Sequence, residues 1–326
     1  MLGVSFETPT PSTFTPSIRR MKLLVLGAAA GGGFPQWNCN CRNCDGLRAG
    51  RINARARTQS SIAVSAGGSD WALINVSPDI LAQIKARPQL QPARTVRDTG
   101  VKAVVLVDSQ IDHTVGLAML REGAQLGVYC TRSVYEDLTT GNPILRMLES
   151  YCGVDWHEIR AAPDATFRIS GIDGIEFSAL PVTSKAPPYS PHREAPRPDD
   201  NIALMMTDVA TGRRVFYAPG LAAIEPVVWA WMSRADCLLV DGSFWTDDEM
   251  IRLGVGRKHA HEMGHLALAG DHGMISWLGR LPRARRILIH INNTNPILDE
   301  DSPEHRELER AGIEVAYDGM EISIGA

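Results

Sequence analysis

Short, β-branched apolar runs separated by polar and glycine-marked turns set the pattern of this chain. Runs of that kind predict buried strands. Lys22-Leu-Leu-Val-Leu26 is the first, and a glycine-rich turn follows from Gly27 to Gly33. That turn is not a dinucleotide fingerprint, because Phe34-Pro-Gln-Trp-Asn38 after it does not read as a helix. Ser61–Ser65 and Trp71–Asn75 predict a strand pair joined at Gly67-Gly68. Pro78 opens a helix over Asp79–Ala86, with Ile80, Leu81 and Ile84 on one face. Val101–Val107 predicts a strand, Gly116 and Leu117–Leu120 the opening of a helix, and Leu126–Thr131 another strand. Val134–Met147 reads as mainly helical, interrupted at Gly141-Asn-Pro143. The second half repeats the alternation, with strands at Ile175–Pro181, Asn201–Asp208, Arg214–Tyr217, Cys237–Val240 and Arg286–His290, and a helix beginning over His265–Asp271. Between them Lys185–Asp200 holds prolines at 187, 188, 191, 196 and 198, the stiffness expected of a lid or pocket wall. Two similar halves predict one α/β sandwich, strands inside and helices outside.

Composition narrows the function classes. The 326 residues suffice for a large core, and 44% hydrophobic content with a mean hydropathy of -0.10 is ordinary for a globular enzyme. The net charge of -4 has both signs spread along the chain, so no basic stripe points to nucleic acid. No apolar run approaches the roughly 18–20 residues that span a bilayer, so no membrane partner is expected. The first 20 residues, rich in Thr, Ser and Pro without an apolar signal core, predict a disordered extension before a single domain over 21–326. Three cysteines crowd into Cys39–Cys44 while Cys130, Cys152 and Cys237 are dispersed in apolar settings, which predicts a reduced, cytoplasmic protein.

The candidate chemistry sits at strand ends. The run to Val107 delivers Asp108, Gln110, Asp112 and His113; Val240 delivers Asp241; Ile289 delivers His290; and His265 follows Met263-Gly264. Any one of these reads equally as a turn or helix cap, Asp112 and Asp241 included, but several in one sheet imply a shared rim. Adjacent carboxylate and imidazole ligands suit iron, manganese or zinc. Asp112, His113 and His290 are the expected rim ligands, with Asp108, Asp241 and His265 beside them as ligand, base or proton shuttle. Cys39, Cys41 and Cys44 form a thiol claw suited to a structural zinc, with free thiols or a redox role as the alternatives. Its fourth ligand is expected to be a histidine, His290 first and His265 second. Gln110, Asn292 and Asn293 are expected to contact substrate, as are Tyr189 and His192 on the proline-stiffened loop. Arg57-Thr-Gln-Ser60 offers similar groups. His259 and His261 read as a solvated stretch, and His157, His272 and His305 as surface residues.

Five segments together, Gly31-Gly-Gly-Phe-Pro-Gln-Trp-Asn-Cys-Asn-Cys-Arg-Asn-Cys44, Arg57-Thr-Gln-Ser-Ser61, Asp108-Ser-Gln-Ile-Asp-His113, Ala186-Pro-Pro-Tyr-Ser-Pro-His192 and His290-Ile-Asn-Asn-Thr-Asn-Pro296, resemble the pyrroloquinoline quinone (PQQ) biosynthesis protein B family. The resemblance runs from Met21 to the C-terminus. It implies a metallo-β-lactamase-like αββα sandwich and a step in PQQ biosynthesis: Fe2+- and oxygen-dependent hydroxylation of the tyrosine ring of a Glu–Tyr-derived precursor. The partners implied are that amino-acid-derived small molecule and other proteins of the pathway. The wider superfamily carries His-x-His-x-Asp-His, and here Asp108 and Gln110 replace the first two histidines while Asp112 and His113 match. Its bridging aspartate, expected near Tyr217–Leu221, is also missing. Those departures weaken a dinuclear hydrolase and keep open a non-catalytic carrier of the quinone or a late intermediate.

Overall fold

A computed structural model describes residues 20–324, so all but the last residue of the expected N-terminal extension lies outside the described residues. Two seven-stranded mixed sheets face each other. The first is built from β1 (Lys22–Gly27), β2 (Ser61–Ser65), β3 (Trp71–Ile74), β4 (Val101–Val105), β5 (Leu126–Cys130), β6 (Val154–Glu158) and β14 (Glu321–Ser323), in the order β14-β1-β2-β3-β4-β5-β6. The second runs β13-β12-β11-β10-β9-β8-β7, from β7 (Thr166–Phe167), β8 (Ile175–Pro181), β9 (Ile202–Asp208), β10 (Arg214–Ala218), β11 (Cys237–Asp241), β12 (Arg285–Ile289) and β13 (Glu314–Val315).

Alternation along each strand decides the layers. Leu23 and Val25 of β1 point between the sheets, where Ile74 and Val105 meet Phe177, Leu204, Tyr217 and Ile287. Leu24 and Leu26 point outward onto α2 (Ile80–Lys85), α4 (Arg132–Thr139) and α5 (Ile144–Glu149) through Ile80, Leu138 and Leu148. Phe216, Leu238 and Leu288 of the second sheet likewise pack onto α6 (Pro226–Met232), α8 (Met274–Gly279) and α9 (Pro303–Ala311). The result is the αββα sandwich. Burial of both strand faces is why these strands read as continuous apolar runs.

In each sheet three neighbouring pairs are parallel, β3 to β6 and β10 to β13, so the C-terminal ends of β4, β11 and β12 share one rim. Main-chain bonds lock the two sheets together there: Ile202 N–H to Val107 O (2.9 Å), Ile291 N–H to Ala28 O (2.9 Å) and Ala30 N–H to Ile291 O (2.9 Å).

Several expected elements need correction. No helix covers His265–Asp271; the N–H groups of Leu268 and Ala269 bond to Phe244 and Trp245 carbonyls, and α8 begins only at Met274. The helix expected at Gly116 is a single turn α3 (Ile111–Thr114) running into a 3-10 turn over Val115–Leu120. The interruption at Gly141–Pro143 separates α4 from α5 as expected. The short edge strands β6, β7, β13 and β14 carry too few apolar positions to stand out in sequence.

Candidate functional site

The rim brings four side chains, two from beyond β4, one from the end of β12 and one from the long segment after β11, around one cavity of about 210 Å³. His113 lies on α3, one turn beyond β4, and its Nδ1 sits 2.8 and 2.9 Å from the two Asp108 carboxylate oxygens. Its Nε2 is buried and has no hydrogen-bond partner. Asp112 Oδ2 lies 4.0 Å from that atom and 3.2 Å from His290 Nε2. His290, one residue past β12, holds a left-handed backbone, φ 60°, which only a locked surround sustains in a side-chain-bearing residue. Its Nδ1 meets Ser243 Oγ at 2.9 Å. His265 completes the set, its Nδ1 2.7 Å from Asp241 Oδ2.

The three imidazoles share one design. Each is anchored at Nδ1, by Asp108, by Asp241 or by Ser243, which leaves Nε2 for the cavity. Asp241 itself is saturated: Oδ2 also accepts from Leu221 N–H (3.0 Å), and Oδ1 accepts from Ser243 N–H (3.0 Å) and Oγ–H (2.7 Å). Asp108 and Asp241 therefore orient histidines, and Asp112 is the carboxylate left to ligate. Two small residues keep the space open. A Cβ on Gly31 would come within 3.3 Å of Asp112 Oδ2, and Gly264 (φ 93°) turns the chain so that His265 enters the rim.

Ser243 joins two of the anchors, since its Oγ also lies 3.1 Å from His265 Nδ1. Ser243→Ala is expected to leave the fold intact and to weaken rim metal binding by about 10- to 100-fold, the usual cost of losing a supporting hydrogen bond; competition against a calibrated chelator measures it.

Charge follows the same geometry. Burial pushes the His113 pKa down, but Asp108 and Asp112 outweigh it and raise it to about 9. Burial likewise opposes ionisation of Asp112, yet His113 and His290 hold it far below the usual carboxylate range. His265 is raised because Asp241 outweighs its burial. For metal-free protein the sign is set by a raised histidine. The stability that His113 contributes is complete below its unfolded value of roughly 6.5 and disappears as pH rises through about 9. Chelator-treated protein should lose melting temperature across that window, and His113→Gln should flatten the slope. Loading the rim at neutral pH should release a proton, measurable in weak buffer.

The thiol claw is a separate site. Cys39 and Cys41 precede α1 (Arg42–Arg48) and Cys44 lies within it; their sulfurs lie within 4.8 Å of one another. Asn293 Nδ2 caps all three, at 3.1, 3.6 and 3.3 Å from Cys39, Cys41 and Cys44 Sγ. Backbone N–H groups of Cys41 and Gln36 donate to Cys39 and Cys44 Sγ at 3.4 and 3.3 Å. Burial and the neighbouring thiols push Cys41 up to about 12, whereas Cys39, though burial opposes it, is held below the ordinary thiol value by the hydrogen bonds around it. Cys39 is thus the easiest of the three to ionise, and three thiolate donors at this spacing suit a soft cation. Neither His290 nor His265 joins the claw, which corrects the expected histidine ligand: both are anchored at the rim, and the side chain set over the three sulfurs is the Asn293 amide.

Other sequence candidates divide. Asp108, Gln110, Asp112, His113, His265, His290 and Asn292 line the cavity. Gln110 Nε2 donates to Lys185 O at 2.7 Å, fastening the proline-rich loop to the rim. Asn293 is not on the cavity wall but on the claw. Tyr189 gives its hydroxyl to Ser109 O, and His192 is buried with Nε2 3.2 Å from Asp200 Oδ1 and 3.4 Å from Asp137 Oδ1. Both hold the loop from behind rather than facing the cavity, so those two expected substrate contacts are corrected to loop anchors. Arg57 is buried on Ala316 O, while Thr58 bonds Asp318 and Gln59 bonds Asp79. Ser243 and the apolar wall of Phe244, Met250 and Met263 were missed; the cue available was a serine two residues beyond Asp241.

With that geometry established, comparison places the chain among known proteins. The β-lactamase superfamily domain matches residues 70–291. Coenzyme PQQ synthesis protein B of Azoarcus sp. (strain BH72) is 60% identical over 306 residues, 93% of this chain and 100% of the relative. Its counterpart in Nitrosococcus oceani is 57% identical, over 93% of this chain and 99% of the relative. The crystal structure of Zn(2+)-bound PqqB from Methylobacterium extorquens superposes with a TM-score of 0.84 at 37% identity, covering 92% of this chain and 99% of that one. A diphosphatase of the PhnP family, at 18% identity, 94% and 97% coverage and a TM-score of 0.66, shares the fold.

Proposed function

The chain belongs to the coenzyme PQQ synthesis protein B family, and we propose that it acts in PQQ biosynthesis by hydroxylating the tyrosine ring of a Glu–Tyr-derived precursor at the rim. Asp112, His113 and His290 would hold one iron(II), with His265 beside them, and the thiol claw with Asn293 would hold a structural zinc. The half-turn that exchanges nitrogen and oxygen in the Asn293 amide would offer zinc an oxygen. Bound iron supplies oxygen activation next to an electron-rich phenol.

The protein's own groups do the rest. Asp108 and Asp241 keep the protons of His113 and His265 on Nδ1, so that Nε2 of each faces the cavity. His265, made more basic by Asp241, presents Nε2 to the cavity as a base for the phenol proton. Phe244, Met250 and Met263 give the ring an apolar wall and limit water, while Gln110 and Asn292 offer polar contacts to the amino-acid part. Other proteins of the pathway would deliver the precursor and take the product.

The observation that carries the reading is the buried His113 Nε2 facing Asp112 and His290, which has no hydrogen-bond partner among the described residues and which a cation would satisfy. Gly220 lies on the wall in the stretch where the superfamily's bridging carboxylate would be, which disfavours a dinuclear hydrolase. Anaerobic iron loading followed by mass spectrometry of the Glu–Tyr diamino acid should show one or two added oxygens under air. No added oxygen with any metal would sink the reading. The carrier alternative rests on the loss of two superfamily histidines to Asp108 and Gln110; tight binding of the finished quinone without turnover of precursor would favour it.

A further inference from the structure

Outside the rim and the claw, the fold closes the segment between α7 (Glu249–Arg252) and His265 onto one carboxylate. His261 Nδ1 lies 2.8 and 2.9 Å from the two Asp247 oxygens, and His259 Nδ1 lies 3.0 Å from Oδ2 of the same group. The His259 nitrogen is shielded from solvent and has no aligned hydrogen bond, although a carboxylate oxygen is within reach. The two rings stack, with centroids 5.4 Å apart and planes at 27°. Main-chain N–H groups fix the arrangement, Ala260 donating to the Asp247 carbonyl (2.8 Å), His261 to Asp247 Oδ1 (3.0 Å) and His259 to Glu262 Oε2 (2.7 Å). A stretch that reads as solvated in sequence is thus a preorganised set of two imidazoles and a carboxylate, with donor atoms within 4.8 Å of one another.

We propose that Asp247, His259 and His261 form a further metal site that takes a divalent cation of the zinc class. Two imidazoles exclude magnesium and calcium by preference, and three protein ligands leave a coordination position for water. The His261 side chain is 65% exposed, so the ion exchanges with solvent and binds more weakly than in a thiolate claw. Its consequence is mechanical. The segment it ties carries Met250 and Met263 on the cavity wall and leads through Gly264 to His265, so an ion there stiffens one side of the rim.

The test is calorimetric titration of zinc chloride into full-length, untagged protein as purified, with metal analysis before and after. About one weaker equivalent is expected beyond those taken by the claw and the rim, and in His113→Ala, where the rim is lost, it should stand alone beyond the claw metal. It should be lost in the double variant His259→Asn with His261→Asn and in Asp247→Asn, and kept in Cys41→Ser and in His113→Ala. Hydrogen exchange over residues 247–263 should slow on zinc addition in the parent protein and stay unchanged in the double variant. Equal zinc uptake and equal exchange protection in parent and variants would reduce the trio to a hydrogen-bonded turn and overturn the proposal.

Discussion

Replacing Cys41 with serine should remove about one zinc per chain and lower the melting temperature by on the order of 10 °C. The magnitude follows from what the claw holds. Asn43 on α1 donates to the carbonyls of Asn293 and Asn295 at 3.1 and 2.8 Å, and Asn293 caps the three sulfurs. The claw therefore ties α1 to the segment that leaves β12 through His290. A closed thiolate site contributes folding energy outright, and three buried or half-buried thiols without their cation leave an uncompensated cluster. Iron at the rim should be affected only indirectly, through the backbone of His290. Metal analysis and thermal melts of parent and variant decide it. Unchanged zinc and an unchanged melt would make the claw ordinary surface thiols.

His113→Ala should abolish rim metal loading and lower turnover by at least about 10³-fold, because it deletes a ligand and leaves the Asp108 charge buried without its partner. Asp108→Asn is the discriminating companion. It preserves shape and removes only the charge that makes His113 a better ligand, so metal affinity should fall by about 10- to 100-fold. The His113 pKa should fall with it, which shifts proton release on metal loading to lower pH. If His113→Ala bound rim metal as the parent does, the assignment of Asp112, His113 and His290 as the ligand set would be wrong. Zinc at the claw should be unaffected in both variants, which separates the two sites in one metal measurement.

Local chemistry made much of this legible. The apolar runs ending at Leu26, Ile74, Val105 and Ile289 announced strands because each is buried on both faces, and the αββα order follows from needing helices to cover the two outer faces. The clustering of the three thiols was legible because the cysteines lie within six residues, as a short loop must bring them together. Asp112 and His113 were legible because they are adjacent at the end of β4.

Contacts between distant segments were not legible. Only the folded chain shows that Asp108 and Asp241 spend their oxygens on orienting histidines, since an aspartate reads the same in sequence whether its lone pairs are free or filled. Ser243 gives no local signal, yet it sets two imidazoles because parallel pairing of β11 and β12 brings it beside His290. The same distance hid the claw's cap: Asn293 is some 250 residues along the chain from the cysteines it covers, and the expected histidine was instead drawn to the rim. Tyr189 and His192 carried the chemistry of pocket residues but face Ser109, Asp137 and Asp200, because a loop's composition fixes its stiffness and not the direction it turns. The sequence determined which groups are available and which strand ends carry them; the packing of one sheet on the other decided which lone pairs remain free to bind.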